Sequence, residues 1–232
     1  MEKFQEYLIQ ELPPTAYYVP DFISSEQAQY LMQKIYDAPK PKWTKLSHRR
    51  LQNWGGIPHP KGMIQEALPN WLEAPAQKLS EHGIFGSKIP NHVLVNEYQP
   101  GEGIMPHEDG PLFYPTIATI NLGSHIFLDF YHHLENSNDS KDNEDGDATN
   151  FKKRYLASLL LEPRSLLILK NDLYTNYLHG IQERTTDVVD EKVVNIKFCQ
   201  SKLGDVLTRK TRISLTIRHV PKVLKVQLFK KK

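Results

Sequence analysis

The run Thr211-Arg212-Ile213-Ser214-Leu215-Thr216-Ile217-Arg218 is the most informative stretch of this 232-residue chain. Its strict alternation reads as a β-strand, with Ile213, Leu215 and Ile217 on one face and Arg212, Ser214, Thr216 and Arg218 on the other. Two guanidinium groups facing an interior need anions, either an internal acid or a carboxylate-bearing ligand that Arg grips through its fork of donors. Working outward, similar runs of β-branched and aromatic residues recur at 92–98, 116–122, 126–131, 155–161, 166–170 and 174–178, with the run just quoted extending over 211–220. Strands in this number without intervening helices predict a mainly β antiparallel sandwich or barrel with flanking helices.

Two helices are expected in the first third of the chain. Ser24 is positioned as an N-cap with Gln27 completing a capping box, Ala28, Leu31, Met32 and Ile35 repeat at helical spacing, and Pro39 stops the run. A second helix is expected after Pro69, with Asn70 as cap and Glu73 three residues on, ending before Gly83 and accommodating Pro75. The organisation predicted is one structural domain, with a helical region over 1–90, a β core over 91–232, and a polar, acidic, disordered insertion over 132–150. A second long connection, 181–208, is placed to cover a site.

Composition sets outer limits. With 39% hydrophobic and 24% charged residues the chain can bury one sizeable core, and one cysteine, Cys199, excludes an intramolecular disulfide framework and favours a reducing compartment. The longest stretch without Lys, Arg, Asp or Glu, 110–128, is broken by Gly and Pro residues besides Asn121, Ser124 and His125, so no membrane span is expected. The net charge of +2 conceals segregation. Between Ala38 and Gln65 stand Lys40, Lys42, Lys45, Arg49, Arg50 and Lys61 without one acid, and from Val206 to Lys232 nine bases again stand without an acid. Glu135 to Asp147 is the acidic counterpart, with six acids against Lys141. Such separation fits a polyanionic partner as well as an ordinary solvated surface.

The sharpest local motif is His107-Glu108-Asp109, because residues two apart at a strand end deliver an imidazole and a carboxylate to one side. His133-Leu134-Glu135 has the same form but lies in the acidic insertion, where nothing would hold a metal rigidly. His179, before Gly180, offers a second imidazole. Two His and one carboxylate make the facial set of non-heme Fe(II) oxygenases, with zinc and a bound water as the competing reading. Asn96 and Tyr98, two apart on one strand, can hydrogen-bond the same anion as Arg212 and Arg218.

Asn96-Glu97-Tyr98, His107-Glu108-Asp109, Leu178-His179-Gly180-Ile181 and the R-x-S-L-T-x-R pattern of Arg212 to Arg218 together resemble, in order and spacing, the AlkB family of Fe(II)- and 2-oxoglutarate-dependent dioxygenases. Ala38-Pro39-Lys40-Pro41-Lys42-Trp43, Leu51-Gln52-Asn53-Trp54-Gly55-Gly56 and the segment from Gly101 to Pro111 look like the eukaryotic AlkB homolog six subgroup. The resemblance implies a double-stranded β-helix, or jelly-roll, core with iron held by His107, Asp109 and His179. It also implies 2-oxoglutarate bound by Arg212 and Tyr98 at its distal carboxylate, with Asn96 and Arg218 toward the keto-acid end and Ser214 beside the cosubstrate, and O2 as the second cosubstrate. Two departures stand out. Ser214 replaces the usual Asn, and Pro111 stands where nucleic-acid demethylases carry a second Asp.

The activity implied is hydroxylation or demethylation with release of succinate and CO2. Lys42, Trp43, Arg49, Arg50 and Trp54 lie where this family places its nucleotide-recognition lid, a composition suited to phosphate contacts and base stacking. The expected substrate is a modified base in single-stranded nucleic acid or locally opened duplex. A protein side chain, or a nucleic-acid-binding module with weak turnover, are the alternatives. The expected setting is a cytoplasmic or nuclear monomer.

Overall fold

The computed structural model describes residues 1–133 and 147–224. In chain order the strands are β1 (Ala16–Val19), β2 (Thr44–Leu46), β3 (Arg49–Trp54), β4 (Met63–Ile64), β5 (His92–Tyr98), β6 (Ile104–His107), β7 (Thr116–Gly123) and β8 (Ile126–His132). There follow β9 (Tyr155–Leu161), β10 (Leu166–Lys170), β11 (Tyr177–Ile181), β12 (Thr186–Val188), β13 (Val206–Thr208), β14 (Arg212–Arg218) and β15 (Val223–Leu224). The helices are α1 (Ser25–Tyr36), α2 (Asn70–Glu81), α3 (Asp147–Arg154) and the single turn α4 (Asp172–Thr175).

Seven strands form one sheet in the order β1-β10-β7-β14-β5-β3-β2, and four form another in the order β6-β11-β8-β9. Every pairing within these two sheets is antiparallel. The alternation of β14 explains how they stack. Ile213, Leu215 and Ile217 join Val93, Val95, Ala118 and Ile120 in a core that α1 covers with Leu31 and Ile35, and α2 with Leu72, Ala76 and Leu79. Each such fully buried aliphatic side chain contributes about 2 kcal/mol by leaving water. A second core, with Tyr18, Tyr98, Leu167 and Leu169 of the large sheet against Leu128, Phe130, Leu159 and Ile181 of the small one, joins the two sheets face to face. This is the jelly-roll sandwich expected.

α1 starts as its sequence requires: Ser24 Oγ accepts from the Gln27 amide at 3.2 Å while the Gln27 side chain accepts from the Ser24 amide at 3.0 Å. α2 differs in detail. Its cap is Pro69 rather than Asn70, with no side-chain capping bond, and Pro75 sits inside the helix.

Three further differences have physical causes. The region 1–90 is not only helical, because β1, β2 and β3 are strands of the large sheet itself. The run 174–178 is divided between α4 and β11, because Asn171 adopts φ +54°, a left-handed conformation Asn tolerates, and turns the chain before the strand can begin. Of the insertion 132–150, His132 ends β8 and 147–150 open α3, whereas 134–146 lie outside the described residues.

Candidate functional site

β6 and β11 pair with His107 directly opposite His179, bringing the two imidazole rings to 4.7 Å between centroids. Asp109 follows two residues beyond the end of β6, and one ligand atom from each of His107, Asp109 and His179 lies within 4.8 Å of the others. Among the described residues no other such His, Cys, Asp and Glu cluster is found. Gly180 permits the close pairing: a Cβ there would stand 2.9 Å from the Pro106 nitrogen and 3.0 Å from the Ile104 oxygen.

Protonation states suit ligation. His107 Nδ1 lies 2.8 Å from the Met105 carbonyl oxygen, which holds a proton on that nitrogen and leaves Nε2 with its lone pair. Burial pushes the His179 imidazole down to about 4, outweighing the attraction of Asp109, so the ring is neutral at physiological pH. Burial would raise the Asp109 carboxyl, but the Arg218 charge, the adjacent His179 and His107 rings and the Arg218 hydrogen bonds hold it below the ordinary carboxylate range. A neutral His179 imidazole and an ionised Asp109 carboxylate are the forms a divalent metal binds. The rival motif at 133–135 contributes only His133 to the described residues, and that imidazole contacts Glu108 at 2.9 Å.

The polar face of β14 forms the wall opposite. Arg212 pairs in register with Tyr98, and Ser214 with Asn96. Asn96, Tyr98, Arg212, Ser214 and Arg218 line one cavity of about 300 Å³ together with His107, Asp109 and His179. The two arginines differ sharply there. Arg218 grips Asp109 with both branches of its fork, Nη2 to Oδ1 at 2.6 Å and Nε to Oδ2 at 3.2 Å, and packs over the Phe113 ring. It has taken the internal acid. Arg212 is 3% exposed, donates to the Asn121 side-chain oxygen at 2.6 Å and lies over the Tyr98 ring, yet its Nε has no partner.

Burial lowers the Arg212 guanidinium to about 10, and among the described residues no carboxylate comes within 4.0 Å of it. An unsatisfied buried donor on a cation costs about 1–3 kcal/mol or more, which a carboxylate ligand would recover. These residues therefore fit an iron held by the triad and a dicarboxylate seated on Arg212. Asn121, which orients Arg212, carried no sequence signal beyond being a polar residue amid an apolar strand. Gly180 signalled only as the neighbour of His179.

The basic, tryptophan-bearing window divides by strand parity. In β3, Leu51 pairs opposite Asn96, so Arg49, Leu51 and Asn53 share the cavity face while Arg50, Gln52 and Trp54 turn away. Arg50 forks onto Glu97 at 2.6 and 2.8 Å and stacks on Trp43. Lys42 lies over the Trp54 ring, 4.3 Å from its centroid, and reaches Glu66 at 3.8 Å, while Trp54 meets Trp71 edge to face and donates to Gln52. Of the five expected substrate contacts, Lys42, Trp43, Arg50 and Trp54 are engaged within the fold, and Arg49 lines the cavity.

Comparison with known proteins agrees with this geometry. The family model of the 2OG-Fe(II) oxygenase superfamily matches residues 44–218. A zebrafish (Danio rerio) protein called "Probable RNA/DNA demethylase ALKBH6" is 54% identical over 226 residues, covering 97% of this chain and 94% of that one. The Xenopus tropicalis tRNA (carboxymethyluridine(34)-5-O)-methyltransferase alkbh8 is 28% identical across 93% of this chain, which spans 33% of that protein. In fold, the structure of OsALKBH1 superposes with a TM-score of 0.54 at 13% identity, covering 90% of this chain and 99% of that one. A Burkholderia pseudomallei oxidoreductase of the 2OG-Fe(II) oxygenase family does so at 0.53 and 10% identity, over 90% and 88% of the two chains. With a full-length relative, a family match over most of its length and the triad in place, the chain belongs to the AlkB branch of the 2OG-Fe(II) oxygenases and is a 2-oxoglutarate-dependent iron dioxygenase.

Proposed function

We propose that this dioxygenase oxidises a modified base in nucleic acid, hydroxylating or removing an alkyl substituent. The observation that carries the reaction class is the buried, half-satisfied Arg212 facing the His107, Asp109 and His179 cluster across one small cavity. The substrate class is supported by the zebrafish relative, named as an RNA/DNA demethylase and 54% identical over nearly the whole chain.

Each residue then has a task. His107, Asp109 and His179 would hold Fe(II), which with 2-oxoglutarate and O2 supplies the oxidising power and yields succinate and CO2. Arg212 would take the distal carboxylate of 2-oxoglutarate, with Tyr98 packed over its guanidinium and Asn121 fixing its orientation. Asn96 and Ser214, paired across β5 and β14, would face the other end. Arg218 keeps Asp109 ionised and fixed in direction, so the carboxylate needs no rearrangement on binding. The apolar lining, with Leu94, Ile117, Leu128, Leu167 and Ile181, keeps bulk water from the reacting centre. An N-alkyl carbon that gains a hydroxyl loses its aldehyde spontaneously, so no further acid or base is required.

The test is product mass spectrometry after incubation with Fe(II), 2-oxoglutarate, O2 and methylated single-stranded RNA, methylated single-stranded DNA or methylated peptides. An oligonucleotide that loses its methyl or gains an oxygen, with succinate formed in step, supports the proposal. Oxidation confined to peptides would overturn it.

A further inference from the structure

Three guanidinium groups line the cavity, and the third is uncommitted. Arg218 is neutralised by Asp109, and Arg212 is the seat for a cosubstrate carboxylate. Arg49 enters from β3, donates through Nε to the side-chain oxygen of Asn96 at 3.3 Å, and makes no ion pair with any described residue. That bond is long and its acceptor is a neutral amide, so a stronger acceptor displaces it easily. The cavity's other acid, Glu108, contacts His133 at 2.9 Å. With one cosubstrate carboxylate on Arg212 and the keto-acid end at the metal, Arg49 still lacks a counter-charge.

Depth distinguishes it further. Arg212 and Arg218 are 3% and 6% exposed, whereas Arg49 is only half-buried and so stands toward the mouth. A nucleotide that delivers its base to the metal leaves its sugar and flanking phosphate at that mouth. A planar guanidinium that is already partly held matches two oxygens of a phosphodiester. Its neighbour Arg50 cannot share the task, because strand parity turns it to Glu97 on the opposite face.

We propose that Arg49 forms an anion subsite on the cavity wall that holds the phosphodiester flanking the reacting base. The proposal rests on the nucleic-acid reading above. It assigns the phosphate contact nearest the chemistry to one residue of the basic window.

The test measures binding of a short fluorescein-labelled single-stranded RNA to the full chain loaded with Mn(II) and 2-oxoglutarate, over about 50 to 200 mM salt. Arg49→Ala is expected to weaken binding about tenfold, the cost of one charge-assisted contact. It is also expected to flatten the plot of log affinity against log salt by about 0.7, one phosphate's share for a single strand. Arg49→Lys keeps the slope and recovers part of the affinity, which a merely folding-related loss would not show. Affinity for 2-oxoglutarate, titrated separately by calorimetry, is expected to fall less than RNA affinity in Arg49→Ala, because Arg49 reaches the cosubstrate only through Asn96. If Arg49→Ala binds RNA with parental affinity and slope, or loses 2-oxoglutarate affinity instead, the subsite is refuted while the nucleic-acid reading stands. If the parent protein shows no salt-dependent RNA binding, both fail together.

Discussion

Arg49 and Arg50 are neighbours in sequence with opposite duties, and the difference comes from the two-residue period of the strand that carries them. Arg50 answers a buried acid: Glu97 is 3% exposed and accepts from Arg50, from the Tyr36 hydroxyl at 2.9 Å and from Gln99. Burial alone would raise the Glu97 carboxyl, and the Arg50 fork with these other donors holds it below its ordinary value. Arg50→Ala therefore strands a buried charge and is expected to lower stability by about 2 kcal/mol, less than for a fully buried pair because the Arg50 side chain is 40% exposed. The urea midpoint measures this, and a midpoint equal to that of the parent would remove Arg50 from the structural role. Sequence could not separate the two arginines. Arg49 to Trp54 lacks an alternating apolar pattern, so its parity is visible only once Leu51 is seen opposite Asn96. In 211–218 the alternation is complete, and the inward face of Arg212, Ser214, Thr216 and Arg218 was legible directly.

Among the elements, β5, β9 and β10 have the ends their sequences imply, because short apolar-rich runs stand there between turn signals. β6 was not legible as a strand, since Pro106 lies within it. It is tolerated there because β6 is an edge strand and owes the sheet no hydrogen bond on its outer side. β6 and β11 carry the two imidazoles, and Gly180 sets their separation. Gly180→Ala is expected to weaken Mn(II) binding about tenfold, with the far-ultraviolet circular dichroism retained, because the added carbon forces apart the strands that align His107 and His179. Calorimetric titration reads the effect; unchanged affinity would show that the pairing can yield at no cost.

The connection between β11 and β14 is ordered around Asp187. This fully buried carboxylate accepts from Arg209 at 2.6 and 2.8 Å, from Arg184 at 2.6 Å and faces His125 at 3.1 Å, while Arg209 also ties down the Gln182 carbonyl at 2.7 Å. Burial opposes its ionisation, but the hydrogen bonds from Arg209 and His125 and the charges of Arg209 and Arg184 prevail, and its pKa lies well below the usual carboxylate range. A depressed folded pKa contributes stability that is fully present above the unfolded value of about 3.9 and is lost as pH falls toward the folded value. Asp187→Asn is expected to cost about 3 kcal/mol at neutral pH and to shrink the loss of stability below about pH 5. Urea unfolding across pH tests it: an acid limb as steep as the parent's would assign that sensitivity to other groups.

At the scale of the whole molecule, the fold places chemistry between two sheets and the two long helices, α1 and α2, on the outer face of the larger one. An antiparallel sandwich or barrel was legible because strand runs dominate from residue 92 onward, and the jelly-roll form followed from the family resemblance that the ordered site motifs carry. That the first third also supplies three strands of the large sheet was not legible. β1 is buried at all four positions and so shows no alternation, and β2 is exposed throughout. The charge segregation resolves unevenly: in the basic window Arg49 faces the cavity, Lys42 and Arg50 are paired within the fold and Lys40, Lys45 and Lys61 are exposed, while the acidic residues 135–146 and Lys225 to Lys232 lie outside the described residues. What unites the molecule is the cavity shared by the triad and Arg212, and one measurement addresses it most directly. Succinate formed from 2-oxoglutarate is quantified by mass spectrometry for the parent, His179→Ala and Arg212→Met, with Fe(II) present or chelated. The parent is expected to form succinate only with Fe(II), His179→Ala to form none above the chelated control, and Arg212→Met to need at least tenfold more 2-oxoglutarate for half-maximal rate, a loss of about 1.4 kcal/mol or more. Succinate formation by both variants at the parental rate and 2-oxoglutarate dependence would contradict the assignment of the site.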